Sequence, residues 1–154
     1  MSNLIKKAAI CVYLFSGYVA LRDMILSLLG KSRATVLYYH RIGDSRDPLT
    51  RSLDDFRNDL GYLQKHYECI SLADLRDRLR SGRAFRRRAV AITFDDGYRN
   101  NYTEAARVLK ETGMTATFFV ATGYIGTDRQ FPHDECRDGV AANWPKLTWD
   151  DLRA

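Results

Sequence analysis

The sequence predicts an α/β fold in which buried parallel strands alternate with helices. The segments Ala89–Phe94 and 115–121 are short and almost continuously apolar, as strands covered on both faces are. The segment between them has the apolar spacing of a helix, so a parallel crossover joins the two strands. The 154 residues, 45% of them hydrophobic, fit one globular domain or part of one.

The first 30 residues form a separate segment, in which two lysines precede an apolar run that an Arg-Asp pair interrupts. The run is shorter than the roughly 20 residues of a spanning helix, but it fits a leader sequence or a helix in the membrane interface. Leu21, Ile25 and Leu28 recur at helical spacing, which fits an amphipathic helix packed on the domain equally well. Contact of residues 4–29 with a membrane surface and packing on the domain both stay open.

The second segment, residues 34–154, begins with a predicted buried strand over residues 35–39 and a loop over 43–48. Ser52 and Ser71 each stand three residues before an aspartate, which resembles a capping box and predicts a helix after each serine. We expect these helices to end near His66 and at Gly82, with a short strand near residues 69–70 between them.

A further helix is predicted over residues 98–112, with Gly113 as its end. The core-facing residues of the three helices are expected to be Leu53, Phe56, Leu60 and Leu63, then Leu72, Leu75 and Leu79, then Ala105, Val108 and Leu109. Residues 122–146 have little periodicity and are typical of a functional loop. Thr148 and Asp151 predict one more helix, and because the sequence stops in its first turn we expect a truncated piece of a longer protein.

The net charge of +5 does not predict a nucleic-acid partner. The densest basic run, Arg83 with residues 86–88, contains one aromatic residue, Phe85, and does not form the alternation of basic and stacking aromatic residues typical of nucleic-acid binding. It is interpreted as a solvated connection. The three cysteines form no C-x-x-C pair, so neither a zinc knuckle nor a disulfide framework is indicated.

The chemistry is concentrated where the strand Ala89–Phe94 ends in Asp95, Asp96 and Gly97. Two adjacent carboxylates at a strand mouth are costly to ionise together, and in a strand they would point to opposite sides. One can therefore hold a metal while the other handles protons. Gly97 allows a sharp turn or a close approach of the backbone to a ligand. This context favours a metal or acid–base site over a plain turn.

The segment AVAITFDDGYRNNYTEAARVLKETGMTATFFVATGYIG resembles the first signature region of the NodB-homology polysaccharide deacetylases, carbohydrate esterase family 4. LYYHRI at residues 37–42 is similar to the Y-H-x-I segment of the poly-N-acetylglucosamine deacetylase type, and LTWDDL at residues 147–152 resembles the helix before the second signature. The resemblance implies the N-terminal part of a distorted (β/α)7 barrel, incomplete in this chain.

The resemblance also implies the chemistry of the site. Asp95 would be the general base, Asp96 a direct ligand of a divalent metal, commonly zinc, and His40 the general acid. A metal-bound water would attack an acetamide, releasing acetate and a glucosamine-type amine from an N-acetylated polysaccharide. Chitin oligomers, poly-N-acetylglucosamine and peptidoglycan all present this group, so the glycan is not specified.

The family's H-[ST]-x-x-H signature, which supplies two more metal ligands, is absent from the sequence. His66 is expected to be exposed or satisfied, and His133 is a candidate substrate contact on the loop. Because catalytic zinc sites normally use three protein ligands, our hypothesis is an active parent protein and an inactive 154-residue form.

Two rival functions are weighed against this hypothesis. One is a non-catalytic glycan-binding or scaffold protein, with sugar-stacking faces on Tyr98, Tyr124, Trp144 and Trp149. Phosphoryl transfer is disfavoured because no phosphate-binding glycine motif is present. The apolar amino-terminal run favours the bacterial cell envelope, membrane-associated or periplasmic, over the cytoplasm.

Overall fold

The structure is a computed structural model that describes residues 17–29, 33–44, 47–85, 88–134 and 143–154. In chain order its helices and strands are α1 (Tyr18–Leu28), β1 (Ala34–Tyr39), β2 (Arg41–Ile42), β3 (Thr50–Arg51), α2 (Leu53–His66), β4 (Glu68–Cys69), α3 (Leu72–Ser81), β5 (Ala89–Phe94), a π-helical segment (Asn101–Ala106) that continues into α4 (Arg107–Thr112), and β6 (Thr117–Phe118).

The main sheet is parallel and is centred on β5, which confirms the predicted α/β class. Strand β1 pairs with one edge of β5 over six residue pairs, ending with Tyr39 opposite Phe94. On the other edge, β4 pairs with the beginning of β5 and β6 pairs with its end. Every residue of β5 is buried, as its continuous apolar run predicts. Because β1 and β5 end side by side, the residues that follow them meet at one edge of the sheet.

Local signals define the ends of the helices as predicted. The Ser52 hydroxyl accepts a hydrogen bond from the Asp55 N–H at 3.1 Å, and Ser71 accepts one from the Asp74 N–H at 3.0 Å. Each bond satisfies a backbone donor that the helix itself leaves unpaired. Helices α3 and α4 end at glycines in the left-handed conformation, both with φ 66°.

The main core lies between the sheet and helices α2 and α4. Phe94 stacks with Tyr39 and Phe118, at ring-centroid distances of 5.4 and 5.0 Å, and meets Phe56 of α2 edge-on at 5.8 Å. Val108 of α4 is fully buried in the same cluster. These aromatic contacts tie the end of β5 to its neighbours, so the backbone that carries Asp95 and Asp96 leaves a well-packed layer.

Two predicted buried faces are wrong. In β1, Leu37 and Tyr39 pack on the core, but Val36 and Tyr38 are 46% and 67% exposed. Nothing in the described part of the chain covers that second face of the edge strand. Leu79 of α3 is 65% exposed although it shares the helical spacing of buried Leu75.

Three element boundaries also differ from prediction. Strand β6 has two residues where seven were expected, and residues 149–153 form turns despite the predicted cap at Thr148. The cap itself is present, since the Asp151 N–H donates to the Thr148 hydroxyl at 3.1 Å. The predicted helix over 98–112 begins after Tyr98, which instead pairs with Lys146 in an isolated antiparallel bridge.

Helix α1 exposes an apolar surface. Tyr18, Leu21 and Ile25, which lie on one helical face, are 55%, 53% and 46% exposed. Packing of Leu21 and Ile25 on the domain, one of the two alternatives for this segment, is therefore not observed. The side chain of Leu28 lies outside the described part of the chain. Across the described ranges, no helix combines the length and the apolar character needed to cross a bilayer.

Candidate active site

Asp95 and Asp96 lie immediately after β5, in a turn rather than in the strand. The Asp95 N–H donates to the Tyr39 carbonyl at 2.9 Å, which extends the β1–β5 ladder by one residue. Asp96 and Gly97 then both take left-handed conformations, with φ 71° and 81°. Such a conformation costs a non-glycine residue about 1–2 kcal/mol, and aspartate is among the residues that tolerate it. Because both aspartates lie in a turn beyond the strand, the strand alternation that we expected does not apply to them.

Gly97 is required for a second reason besides its φ. A Cβ at this position would lie 3.1 Å from Cγ1 and 3.2 Å from Cβ of Val120. The turn thus packs directly on the segment that follows β6. The predicted close approach of the backbone is confirmed, but it is made to a protein side chain.

His40 and Asp96, which four strands and two helices separate in the sequence, lie together. His40 directly follows β1, and its Nε2 is 3.9 Å from Oδ2 of Asp96. The side chains are 21% and 23% exposed, so both are accessible at the edge of the sheet. The ring of Tyr38 meets the His40 ring edge-on at 5.8 Å.

His133 is a third member of the site, on the long loop. Its Nε2 lies 3.4 Å from Oδ2 of Asp96 and 2.9 Å from the hydroxyl oxygen of Tyr98. Its ring stacks on Phe131 with an interplanar angle of 6°. The side chain is 41% exposed. The loop thus places an imidazole against the same carboxylate that His40 faces.

The Asp96 carboxylate has one oxygen that suits a metal ion. Oδ2 is buried and receives no hydrogen bond, and a buried carboxylate oxygen without a donor is costly unless a cation satisfies it. Among the described residues, however, no group of three His, Cys, Asp or Glu side chains is arranged to hold a metal. Asp96 therefore fits one ligand position, and the described residues do not complete a three-ligand zinc site.

A buried charge cluster lies beneath the loop, and no pattern in the sequence predicted it. The Asp134 side chain is fully buried and contacts the guanidinium of Arg41, the hydroxyl of Tyr98 at 2.8 Å and Nζ of Lys146 at 3.7 Å. Arg41 also contacts Asp47 at 2.8 Å. Isolated charged residues next to turns are usually solvated, so no local pattern distinguishes these from surface charges.

Burial also shifts the pKa of two groups in this cluster. Burial is the main cause that raises the pKa of Tyr98, and the hydrogen bond to Asp134 adds to it. Burial lowers the pKa of Lys146, although the nearby Asp134 carboxylate opposes this effect. The cluster is a low-dielectric environment, in which each polar group depends on its protein partners.

The other candidate residues lie elsewhere or are covered. His66 is exposed and contacts Tyr62, with ring centroids 4.4 Å apart, as expected for a histidine outside the site. Tyr98 has no exposed surface and cannot offer a face to a sugar, which corrects that expectation. The guanidinium of Arg41 lies 4.5 Å from the Trp144 ring, whereas Trp149 is 51% exposed.

The sequence of this chain is similar to those of known proteins. Residues 82–151 match the family model described as polysaccharide deacetylase. The chain is 29% identical over 108 residues to YxkH of Bacillus subtilis (strain 168), which is named after the polysaccharide deacetylases. That match covers 70% of this chain and 38% of YxkH.

Solved structures share the fold. IcaB from Ammonifex degensii superposes with a TM-score of 0.66 at 25% identity, covering 79% of this chain and 47% of IcaB. A de-N-acetylase from Aggregatibacter actinomycetemcomitans gives 0.62 at 23% identity, covering 79% of this chain and 50% of that one. The chain spans less than half the length of YxkH and of IcaB. Residues 82–151 are therefore similar in sequence to the polysaccharide deacetylases, and the chain shares its fold with these solved structures.

Proposed function

We propose that this protein is a metal-dependent hydrolase that removes N-acetyl groups from a polysaccharide. One observation carries the proposal: Asp96 presents a buried carboxylate oxygen without a hydrogen-bond donor at the end of β5, 3.9 Å from His40. The family match over residues 82–151 supports the same chemistry. Zinc, when bound, would polarise the acetamide carbonyl and acidify a water molecule.

The roles of the protein groups follow from their positions. Asp96 would hold the ion through Oδ2. Asp95, half-buried and fixed by its backbone bond to Tyr39, accepts the proton of the attacking water as the general base. His40, at the end of the adjacent strand, donates a proton to the leaving amine. The C–N bond of the acetamide breaks, and acetate and a glucosamine-type amine are released.

We further propose that the 154-residue chain does not turn over by itself. A catalytic zinc normally uses three protein ligands. Asp96 is one candidate ligand, and the described residues contain no group of three side chains that could hold the ion. Acetate release from an N-acetylglucosamine oligomer is the direct measurement. Release that persists in the Asp96→Asn variant would come from a contaminant, whereas release that is lost in this variant would refute the proposed inactivity.

Zinc binding tests the assignment of Asp96 without requiring turnover. Isothermal titration with zinc should show weak binding that Asp96→Asn lowers at least about tenfold, because the amide removes the charge that holds the ion. Asp95→Asn is the matched control, one residue away, and should bind as the wild type does. Equal losses in both variants would contradict the division of roles between the two aspartates.

The location that we propose is the bacterial cell envelope, with residues 4–29 against a membrane surface. The exposed apolar residues Tyr18, Leu21 and Ile25 on one face of α1 support an interfacial helix. A vesicle sedimentation assay tests this: the chain should co-sediment with anionic vesicles, and Leu21→Asp with Ile25→Asp should abolish co-sedimentation. If the unaltered protein stays in the supernatant, the proposed membrane contact is wrong.

A non-catalytic glycan-binding protein is the second candidate, and the exposed indole of Trp149 favours it. In that case N-acetylglucosamine oligomers would bind in a manner that Trp149→Ala weakens, while neither zinc nor Asp96→Asn would affect binding. Binding that depends on Asp96 would instead support the hydrolase.

A further inference from the structure

We infer that Asp134 is a positioning residue that acts through the phenol of Tyr98 to hold His133 beside Asp96 with a proton on Nε2. This inference deepens the proposed function, because it adds His133 to the site that contains Asp96. It rests on two linked hydrogen bonds in which the donor and the acceptor are each determined by the partner.

The first link is the Asp134 carboxylate. Its side chain is fully enclosed, and it contacts the cationic groups of Arg41 and Lys146. As the counterion of these two cations, the carboxylate acts as an acceptor of hydrogen bonds. The hydroxyl of Tyr98, 2.8 Å from Oδ2, must therefore donate its single hydrogen to Asp134.

The second link is the contact between Tyr98 and His133. The hydroxyl oxygen of Tyr98 lies 2.9 Å from Nε2 of His133. Because its hydrogen is directed to Asp134, this oxygen can only accept. Nε2 must therefore carry a hydrogen, and the neutral imidazole is the Nε2–H tautomer. The ring of His133 stacks on Phe131 with an interplanar angle of 6°, which favours this orientation of the imidazole.

The backbone anchors the same arrangement. Tyr98 pairs with Lys146, the Leu147 N–H donates to the Gly97 carbonyl at 2.9 Å, and the Arg99 N–H donates to Pro145 at 2.9 Å. The end of the loop is therefore bound to the turn that presents Asp96. Asp134 secures the part of the loop adjacent to His133, so the imidazole approaches Asp96 from a supported segment.

The two ring nitrogens of His133 therefore have fixed donor and acceptor roles. Nε2–H is directed to Tyr98, beside Oδ2 of Asp96 at 3.4 Å, and Nδ1 is then the acceptor of the ring. Because the side chain is 41% exposed, a ligand at the site can contact it. In a deacetylase, such an acceptor suits a sugar hydroxyl or the N–H of an acetamide, which makes His133 a substrate-positioning residue.

The tautomer can be measured on the chain itself. Long-range ¹H–¹⁵N correlation spectra of ¹⁵N-labelled protein, recorded at about pH 8, above the ordinary pKa of histidine, distinguish protonated from unprotonated imidazole nitrogens. We expect His133 to be the Nε2–H tautomer with a single sharp pattern. Exposed His66 serves as the internal reference. An Nδ1–H tautomer at His133 in the wild type would overturn the inference without any variant.

Matched variants test the two links. Tyr98→Phe should release His133 into a mixture of tautomers, whereas Tyr39→Phe removes another half-buried phenol that donates to a carboxylate, Asp59, and should leave His133 unchanged. Asp134→Asn should move the His133 signals, and Asp47→Asn, which removes the other carboxylate on Arg41, should not.

Unchanged His133 signals in folded Tyr98→Phe would refute the proposal that Tyr98 sets the tautomer of His133. If Asp134→Asn does not fold, the wild-type and Tyr98→Phe spectra decide the question. These outcomes do not depend on zinc binding or acetate release. If His133 is the Nε2–H tautomer but zinc does not bind at Asp96, the role of Asp134 and Tyr98 stands and the proposed function is wrong. If zinc binds at Asp96 but His133 is the Nδ1–H tautomer, the proposed function stands and the role of Asp134 and Tyr98 is wrong.

Discussion

Gly97→Ala is expected to destabilise the chain more than any other glycine-to-alanine change at a left-handed position among the described residues. Two costs combine at this glycine. Its φ is 81°, and the added Cβ would lie 3.1 Å from Cγ1 of Val120. Gly113 has a similar φ of 66° with no atom within 4 Å of the position of a Cβ, so it carries the first cost without the second.

The magnitudes follow from this comparison. A left-handed alanine costs about 1–2 kcal/mol at either position. Overpacking against a neighbour that cannot fully move adds about 1–3 kcal/mol at Gly97 alone. Restriction of the unfolded chain by the new methyl group, worth about 0.4–1 kcal/mol, stabilises both variants equally and cancels in the difference. We therefore expect Gly97→Ala to cost about 1–3 kcal/mol more free energy of unfolding than Gly113→Ala.

Urea unfolding at equilibrium measures both free energies, with tyrosine and tryptophan fluorescence as the signal. Val120→Ala provides the second control, because it removes the nearest atom and should reduce the cost of Gly97→Ala when the two changes are combined. If Gly97→Ala and Gly113→Ala lose the same free energy of unfolding, the close approach to Val120 does not destabilise the variant. The same conclusion follows if the effects of Gly97→Ala and Val120→Ala are additive.

Three further predictions concern charge, pH and capping. Arg41→Met leaves the buried Asp134 carboxylate without its guanidinium and should lower the free energy of unfolding by about 3–5 kcal/mol in urea, and a loss below about 1 kcal/mol would contradict this. Burial, reinforced by Asp59, raises the pKa of Tyr39, so the folded state favours the neutral phenol. That contribution is complete below about pH 10 and is lost as the pH rises further, so Tyr39→Phe should flatten the alkaline decline of stability. Ser71→Ala removes a helix cap and should cost about 1 kcal/mol in thermal unfolding, and an unchanged Tm would show that the cap is dispensable.

Local patterns predicted much of this fold, for a reason that particular residues illustrate. Ser71 caps α3 through a residue three positions away, and Gly113 ends α4 by its own conformation. Such signals lie within one helical turn, so they can be read without knowing what packs nearby. The apolar run of β5 predicted a strand covered on both faces, and its abrupt end in Asp95 and Asp96 located the candidate site.

Predictions failed where burial depends on distant parts of the chain. Leu79 has the helical spacing of a core residue and is exposed, whereas Arg41 has the character of a surface residue and is 1% exposed. Tyr98 was expected to begin a helix and offer a sugar-stacking face, but it is fully buried in a bridge with Lys146. In each case the neighbours that decide the exposure lie outside the local window.

The sequence by itself determined the strand–helix alternation, the helix caps, the paired aspartates and the resemblance to the deacetylases. Only the tertiary structure decided that Asp96 occupies a left-handed turn and that His133 approaches it above a buried Asp134. Arg41 and Asp134 are 93 positions apart, and Tyr98 and His133 are 35 apart. Contacts of that separation arise when chain segments pack, and no periodicity or cap in the sequence specifies which charged residue will be enclosed.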